Sequence, residues 1–285
     1  MIVNFINGIT FGMILFILAS GLTITLGLMG YFNLAHGVLY MFAGFIGFSV
    51  FDWSGSFLLA LLASTITAGL IGLAIERGFL QHLGGEINNQ ALITIGFLFI
   101  LENLALWIWG PIPRDPLTAI SLGGTIEVPF TGGRLPIYRL VVIFIGLAIA
   151  MGLWWFDKTR LGALIRAGMD DSQMLRGMGI NLPKIQIGVF AGASALAGCA
   201  AIIAGPLLGM NLQTSFDILI LALVVTVVGG AGSILGAFIF SLAIGLVSTF
   251  GKVLFPEVAM FIIYASMVIV LVFKPAGLLG RELGK

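Results

Sequence analysis

"GYFNLAHGVLY", residues 30–40, places an asparagine and a histidine inside the longest uncharged run of the chain, since no Asp, Glu, Lys or Arg occurs from Met1 to Phe51. Polar side chains are costly at membrane depth, so this stretch decides between an ordinary span and a broken one. The surroundings settle that a membrane is involved. The chain has 285 residues, 60% hydrophobic and 9% charged, with a mean hydropathy of +1.17, against roughly 25% charged residues in soluble domains. This composition describes an integral membrane protein.

A helix needs about 20 apolar residues to cross a hydrocarbon core of roughly 30 Å. The uncharged intervals are 1–51, 53–75, 140–156, 185–216, 218–251 and 258–273, with 87–113 interrupted only by Glu102. Intervals 53–75 and 140–156 fit one crossing each, whereas 1–51, 185–216 and 218–251 must fold back or break. Eight or nine segments are expected, in an all-α polytopic bundle with discontinuous helices, forming one transmembrane domain over 1–285. Residues 3–28 are read as a retained span, because the run lacks the basic start of a signal peptide and is too long for one.

Basic residues orient such a bundle. If 157–184 is cytoplasmic, then 76–90 and the carboxyl terminus join it, placing Arg77, Lys158, Arg160, Arg166, Arg176, Lys184, Lys274, Arg281 and Lys285 inside and Arg114, Arg134, Arg139 and Lys252 outside. The Pro- and Gly-rich loop 110–138 then lies on the outer face, as an irregular cap with room for strands.

Two breaks stand out. After "GYFNLAHG", segment 37–51 has only 15 residues, and before "GGAGSILG" at 229–236, segment 218–228 has only 11. Short, Gly-interrupted segments in the two halves of a chain point to a transporter's substrate pathway, because broken helices expose backbone groups and helix ends. Asn33 would cap a half-helix starting near Leu34, whose dipole favours a carboxylate in transit, with His36 steadying the break. The alternative is a pair of tight turns between full helices. Candidate pathway residues are Asn33, His36, Gly37, Glu102, Gly229 and Gly230. The small-residue run 191–205 reads as a packing surface between helices.

In the loop 157–184, "MDDSQMLRGMG" suggests a short amphipathic helix. Asp170 and Asp171 stand near its start, Met174, Leu175 and Met178 on its apolar face, Arg176 near its end and Gly179 as its stop. It would either dock into a partner or lie on the membrane surface.

Other chemistry is absent. There is no phosphate loop, because "GGAGS" lacks a following Lys. The lone Cys199 excludes a disulfide or cysteine metal site, two histidines with no facing acid pair assemble no catalytic centre, and a net charge of +1 gives no footing for nucleic acid. No enzyme activity, metal or cofactor is expected.

The motifs "ITLGLMGYFNLAHGVLYMFAGF", "TIGFLFILEN", "RAGMDDSQMLRGMGINLPKI", "VVTVVGGAGSILGAFIF" and "VFKPAGLLGR" occur in the order found in the permeases of branched-chain amino-acid ABC importers, and the chain resembles the LivH type. The matching positions are Asn33, Ala35, His36 and Gly37, then Arg166 through Asn181, then Pro275 through Gly280. Sugar permeases of the same superfamily carry a different signature at "NLAHG". Family members often hold glutamine at Glu102.

The resemblance implies a subunit of the bacterial inner membrane with five kinds of partner: a second permease of LivM type, two ATPase subunits of LivG and LivF type, an extracytoplasmic binding protein, and lipid. ATP and Mg would sit on the ATPases, and the loop segment 170–178 would couple to them. Relatives import urea, amides or aromatic acids. An ion-coupled secondary transporter is the competing class, weakened because Glu102 is the one acid this reading places in the membrane.

Overall fold

The computed structural model describes residues 1–30, 33–83, 87–113, 124–127, 134–170, 172–257, 259–274 and 277–279. The chain runs α1 (Ile2–Met29), α2 (His36–Ser54), α3 (Phe57–Gly78) with a 3-10 turn at Leu80–His82, and α4 (Ile87–Trp109). After β1 (Thr125–Glu127) and β2 (Arg134–Pro136) come α5 (Ile137–Lys158), α6 (Arg160–Asp170) and α7 (Ser172–Gly177). The last elements are α8 (Leu182–Leu208), α9 (Thr214–Gly229), α10 (Ile234–Leu254) and α11 (Ala259–Phe273). Seven helices are long and apolar enough to cross a membrane, and with the shorter apolar segments Thr214–Gly229 and Ile263–Phe273 there are nine candidates among the described residues.

Local chemistry sets many of the boundaries. Gly30 ends α1 at φ 66° and Gly55 ends α2 at φ 65°, both in the left-handed region that glycine occupies without strain. Ser56 and Ser233 accept bonds from Leu59 N and Gly236 N at the starts of α3 and α10, satisfying orphan amides of the first turn. The connection between α4 and α5 does contain strands: β1 and β2 pair antiparallel with Glu127 opposite Arg134.

Two long antiparallel seams organise the bundle. In the first, Gly8 and Gly12 of α1 lie directly on Leu246 and Leu242 of α10. In the second, Ser64 Oγ of α3 donates to Gly198 O of α8 at 2.7 Å, and Gly72 lies on Ser194. Small residues let these backbones approach, as membrane interfaces require, and the stretch 191–205 serves this purpose. The pairing has an approximate exchange symmetry, since α1 packs on α10 as α8 packs on α3, and α2 contacts α8 as α9 contacts α1. Helices α2 and α9 meet at the centre.

The seams also show which ends lie together. The carboxyl end of α3 meets the amino end of α8, Ile24 of α1 clusters with Ile165 of α6 and Ala193 of α8, and Gly232 rests on Gly27. One end of the bundle therefore holds Arg77, Lys158, Arg160, Arg166, Lys184 and Lys274, while Arg134, Arg139 and Lys252 lie at the other.

Three expectations change. Helix α2 has 19 residues rather than 15, because it starts one residue earlier, at His36, and Asp52, Trp53 and Ser54 continue it. Helix α9 has 16 rather than 11, because it starts before Asp217. Glu76, assigned to a connection, belongs to α3 and is completely buried, with neither carboxyl oxygen hydrogen-bonded among the described residues.

Candidate translocation site

After Gly30 the chain turns back along α1. How far it returns is marked by His36, fully buried, whose Nε2 lies 2.9 Å from Leu18 O. Leu18 precedes the end of α1 at Met29 by about 16 Å of helix rise. Because the carbonyl can only accept, Nε2 carries a proton, while Nδ1 has no partner among the described residues. Helix α2 thus starts well inside the bundle.

Asn33 works differently from the expected cap. Helix α2 begins at His36, with Ala35 in the N-cap position. Asn33 instead accepts from Ala35 N through Oδ1 at 3.1 Å and from His36 N through its own carbonyl at 3.3 Å, a side-chain turn that presents the helix end. Leu34 N donates to Thr94 Oγ1 of α4 at 3.2 Å, fastening the break to that helix. Asn33 Nδ2 and both amide atoms of Gln90, one turn before Thr94, are buried without partners among the described residues. A polar patch therefore runs from the α1–α2 connection onto α4.

The second half makes a matching descent. Gly205 rests on Phe48, Gly44 on Met210 and Gly37 on the carbonyl of Ser215, so residues 205–215 step down alongside α2. Gly209 closes α8 by donating to Gly205 O at 2.8 Å. Asn211 Oδ1 then accepts from Thr214 N at 3.0 Å while Thr214 Oγ1 accepts from Asn211 N at 3.0 Å, a reciprocal pair that starts α9. The amino ends of α2 and α9, each the positive end of a helix dipole, meet inside the bundle.

The counterpart of the "NLAHG" break is therefore 209–213 rather than 229–236. Sequence reasoning passed over it, although the Asn-Leu pair at 33–34 recurs at 211–212 after a helix-ending glycine. Gly229 and Gly230 lie away from His36, in a tight turn between α9 and α10. Gly229 presses on Ala237, and Gly232 on Gly27 near the end of α1. Leu278 N and Leu279 N donate to Val228 O and Gly229 O at 2.8 and 3.2 Å, so the carboxyl-terminal motif closes this turn. Glu102 stands about 12 Å farther along α4 than Thr94 and is half-buried; the structure does not bring it to the Asn33–His36 group.

The loop segment divides into α6 and α7. Asp171 lies outside the described residues, as do the side chains of Asp170 and Arg176. Gly179, at φ 79°, ends α7 as expected, with Met178 N and Ile180 N both donating to Leu175 O at 3.2 Å. The apolar face is split, because Leu175 is 2% exposed whereas Met174 and Met178 are 52% and 67% exposed. Leu175 holds α7 to the subunit, and the two methionines point outward.

A mostly apolar crevice of about 600 Å³ opens between α1, α5, α6 and α8, with Lys184 on its rim. None of the pathway candidates lines it.

A family model for the permease component of branched-chain amino acid transport systems matches residues 4–271. The chain belongs to this permease family. The permease is 29% identical, over 97% of its length and 94% of the relative's, to the high-affinity branched-chain amino acid transport system permease protein BraD of Pseudomonas aeruginosa. It is 28% identical to LivH of Salmonella typhimurium and 27% to LivH of Escherichia coli, in both cases over 96% of this chain and 94% of the relative. No solved structure matches the permease.

Proposed function

We propose that this permease forms, with a second permease of LivM type, the pathway by which an ABC importer of the bacterial inner membrane moves branched-chain or related amino acids. Two ATPase subunits of LivG and LivF type bind ATP and Mg and dock at the end that holds α6 and α7, the cytoplasmic end by its basic residues. An extracytoplasmic binding protein delivers the substrate at the other end. The reading is supported by the family match over 4–271, and above all by the meeting of the α2 and α9 amino ends at Gly37 and Ser215. Two positive helix ends inside a membrane suit a solute that carries a carboxylate.

Asn33, His36 and Gly37 shape this site, and Met174 and Met178 are the contacts through which α7 meets an ATPase. The deciding experiment reconstitutes the permease with its partners in proteoliposomes and follows labelled leucine, isoleucine and valine. Uptake that needs both ATP and the binding protein supports the assignment. Uptake driven by an ion gradient without ATP would establish the secondary-transporter reading instead.

A further inference from the structure

Asp217 is an ionisable residue in a helix that otherwise contains no charge, and its position is deep. It follows Ser215 by two residues, and Ser215 abuts Gly37, which lies about 26 Å of helix rise from the outer end of α2 at Ser54. Yet Asp217 is exposed, as are Gln213 one turn before it and Ile220 one turn after it. The i, i+4, i+7 spacing sets these three on a single face of α9, while Thr214, Ser215, Ile218 and Leu219 are buried against the bundle. No ion pair to Asp217 is formed among the described residues.

An ionised carboxylate on a lipid-facing surface at this depth is costly, so acids in spans face a water-filled cavity or a partner charge. Asp217 lies in the first turn of α9, at the positive end of the helix dipole, where negative charge is stabilised. Resting on the transport reading above, we propose that the Gln213–Asp217 face of α9 lines the water-filled translocation pathway and that the Asp217 carboxylate holds the ammonium group of the amino acid in transit. The substrate's two charges would then be received by one helix: its carboxylate toward the amino ends of α2 and α9, its ammonium by the acid beside them.

The test uses the assembled transporter in proteoliposomes with a saturating binding protein. Losing a charge-assisted hydrogen bond is expected to slow uptake by about tenfold in Asp217→Asn, with Asp217→Glu retaining most activity. In a Cys199→Ala background, Asp217→Cys is expected to react with a hydrophilic, cationic thiol reagent, and transport conditions are expected to protect it.

An unreactive thiol would place this face against lipid and overturn the proposal. Normal uptake by Asp217→Asn would overturn the ammonium role. Loss of the second permease from the Asp217→Asn complex would show an ion pair between subunits instead, again overturning it. Wild-type uptake, measured alongside, separates these results from a failure of the import assignment itself.

Discussion

Gly37 of α2 and Ser215 of α9 meet backbone against backbone, with the Ser215 carbonyl occupying the place a Cβ on residue 37 would take. The contact joins the amino ends of two helices from opposite halves of the chain. Gly37→Ala is therefore expected to force the helices apart and destabilise the permease by about 1–3 kcal/mol, the usual cost of overpacking. Gly96, where an added methyl group would meet nothing within 4 Å among the described residues, supplies the control: Gly96→Ala is expected to keep wild-type thermal stability in detergent.

His36 ties the start of α2 to Leu18 O, and its loss removes that bond and empties the space of a fully buried ring. His36→Ala is expected to cost about 1–3 kcal/mol, while His36→Gln, which still carries a donor, recovers part of the loss. Uptake by Asn33→Ala and His36→Ala proteins, corrected for abundance, checks the transport role separately. Unchanged rates would reduce both residues to structural supports.

The split face of α7 distinguishes docking from anchoring. Met174→Asp with Met178→Asp is expected to abolish substrate-stimulated ATP hydrolysis and release the ATPases, while the permease still inserts. Leu175→Asp, at a buried position, is expected to lower permease stability instead. Normal stimulation in the double methionine variant would move the coupling contact elsewhere, toward residues 76–90.

Glu76 is buried in α3 with neither oxygen hydrogen-bonded among the described residues. An unmet polar group of this kind costs about 1–3 kcal/mol, so Glu76→Met, apolar and of similar length, is expected to raise the thermal midpoint. A lower midpoint, or lost transport at raised stability, would reveal a working role for the carboxyl.

What could be read from the sequence was local. Spans need only length and apolarity, so uncharged intervals located them, and the isolated Asn33 and His36 marked the first break. The second break was hidden because the glycine cluster at 229–232 is the more conspicuous signal, whereas the decisive feature, the Asn211–Thr214 exchange of bonds, is a common pairing without glycine. Leu175 and Met174 are adjacent and equally apolar, and only the packing of α7 on its neighbours turns one inward. Glu76 borders a charged connection in the sequence, and the continuation of α3 to Gly78 is what buries it.

The crossing of α2 with α9 also imposes an order of events on biogenesis. Helix α2 enters the membrane early, but the surface that covers Gly37 belongs to a segment made much later. At ribosomal speeds of roughly 5–20 residues per second the delay is about ten to thirty-five seconds. For that interval the nascent chain carries Gly37 without the Ser215 backbone that covers it. A half-made permease is thus a natural client for membrane insertases and quality-control proteases, and pausing of translation before Thr214 would lengthen its exposure.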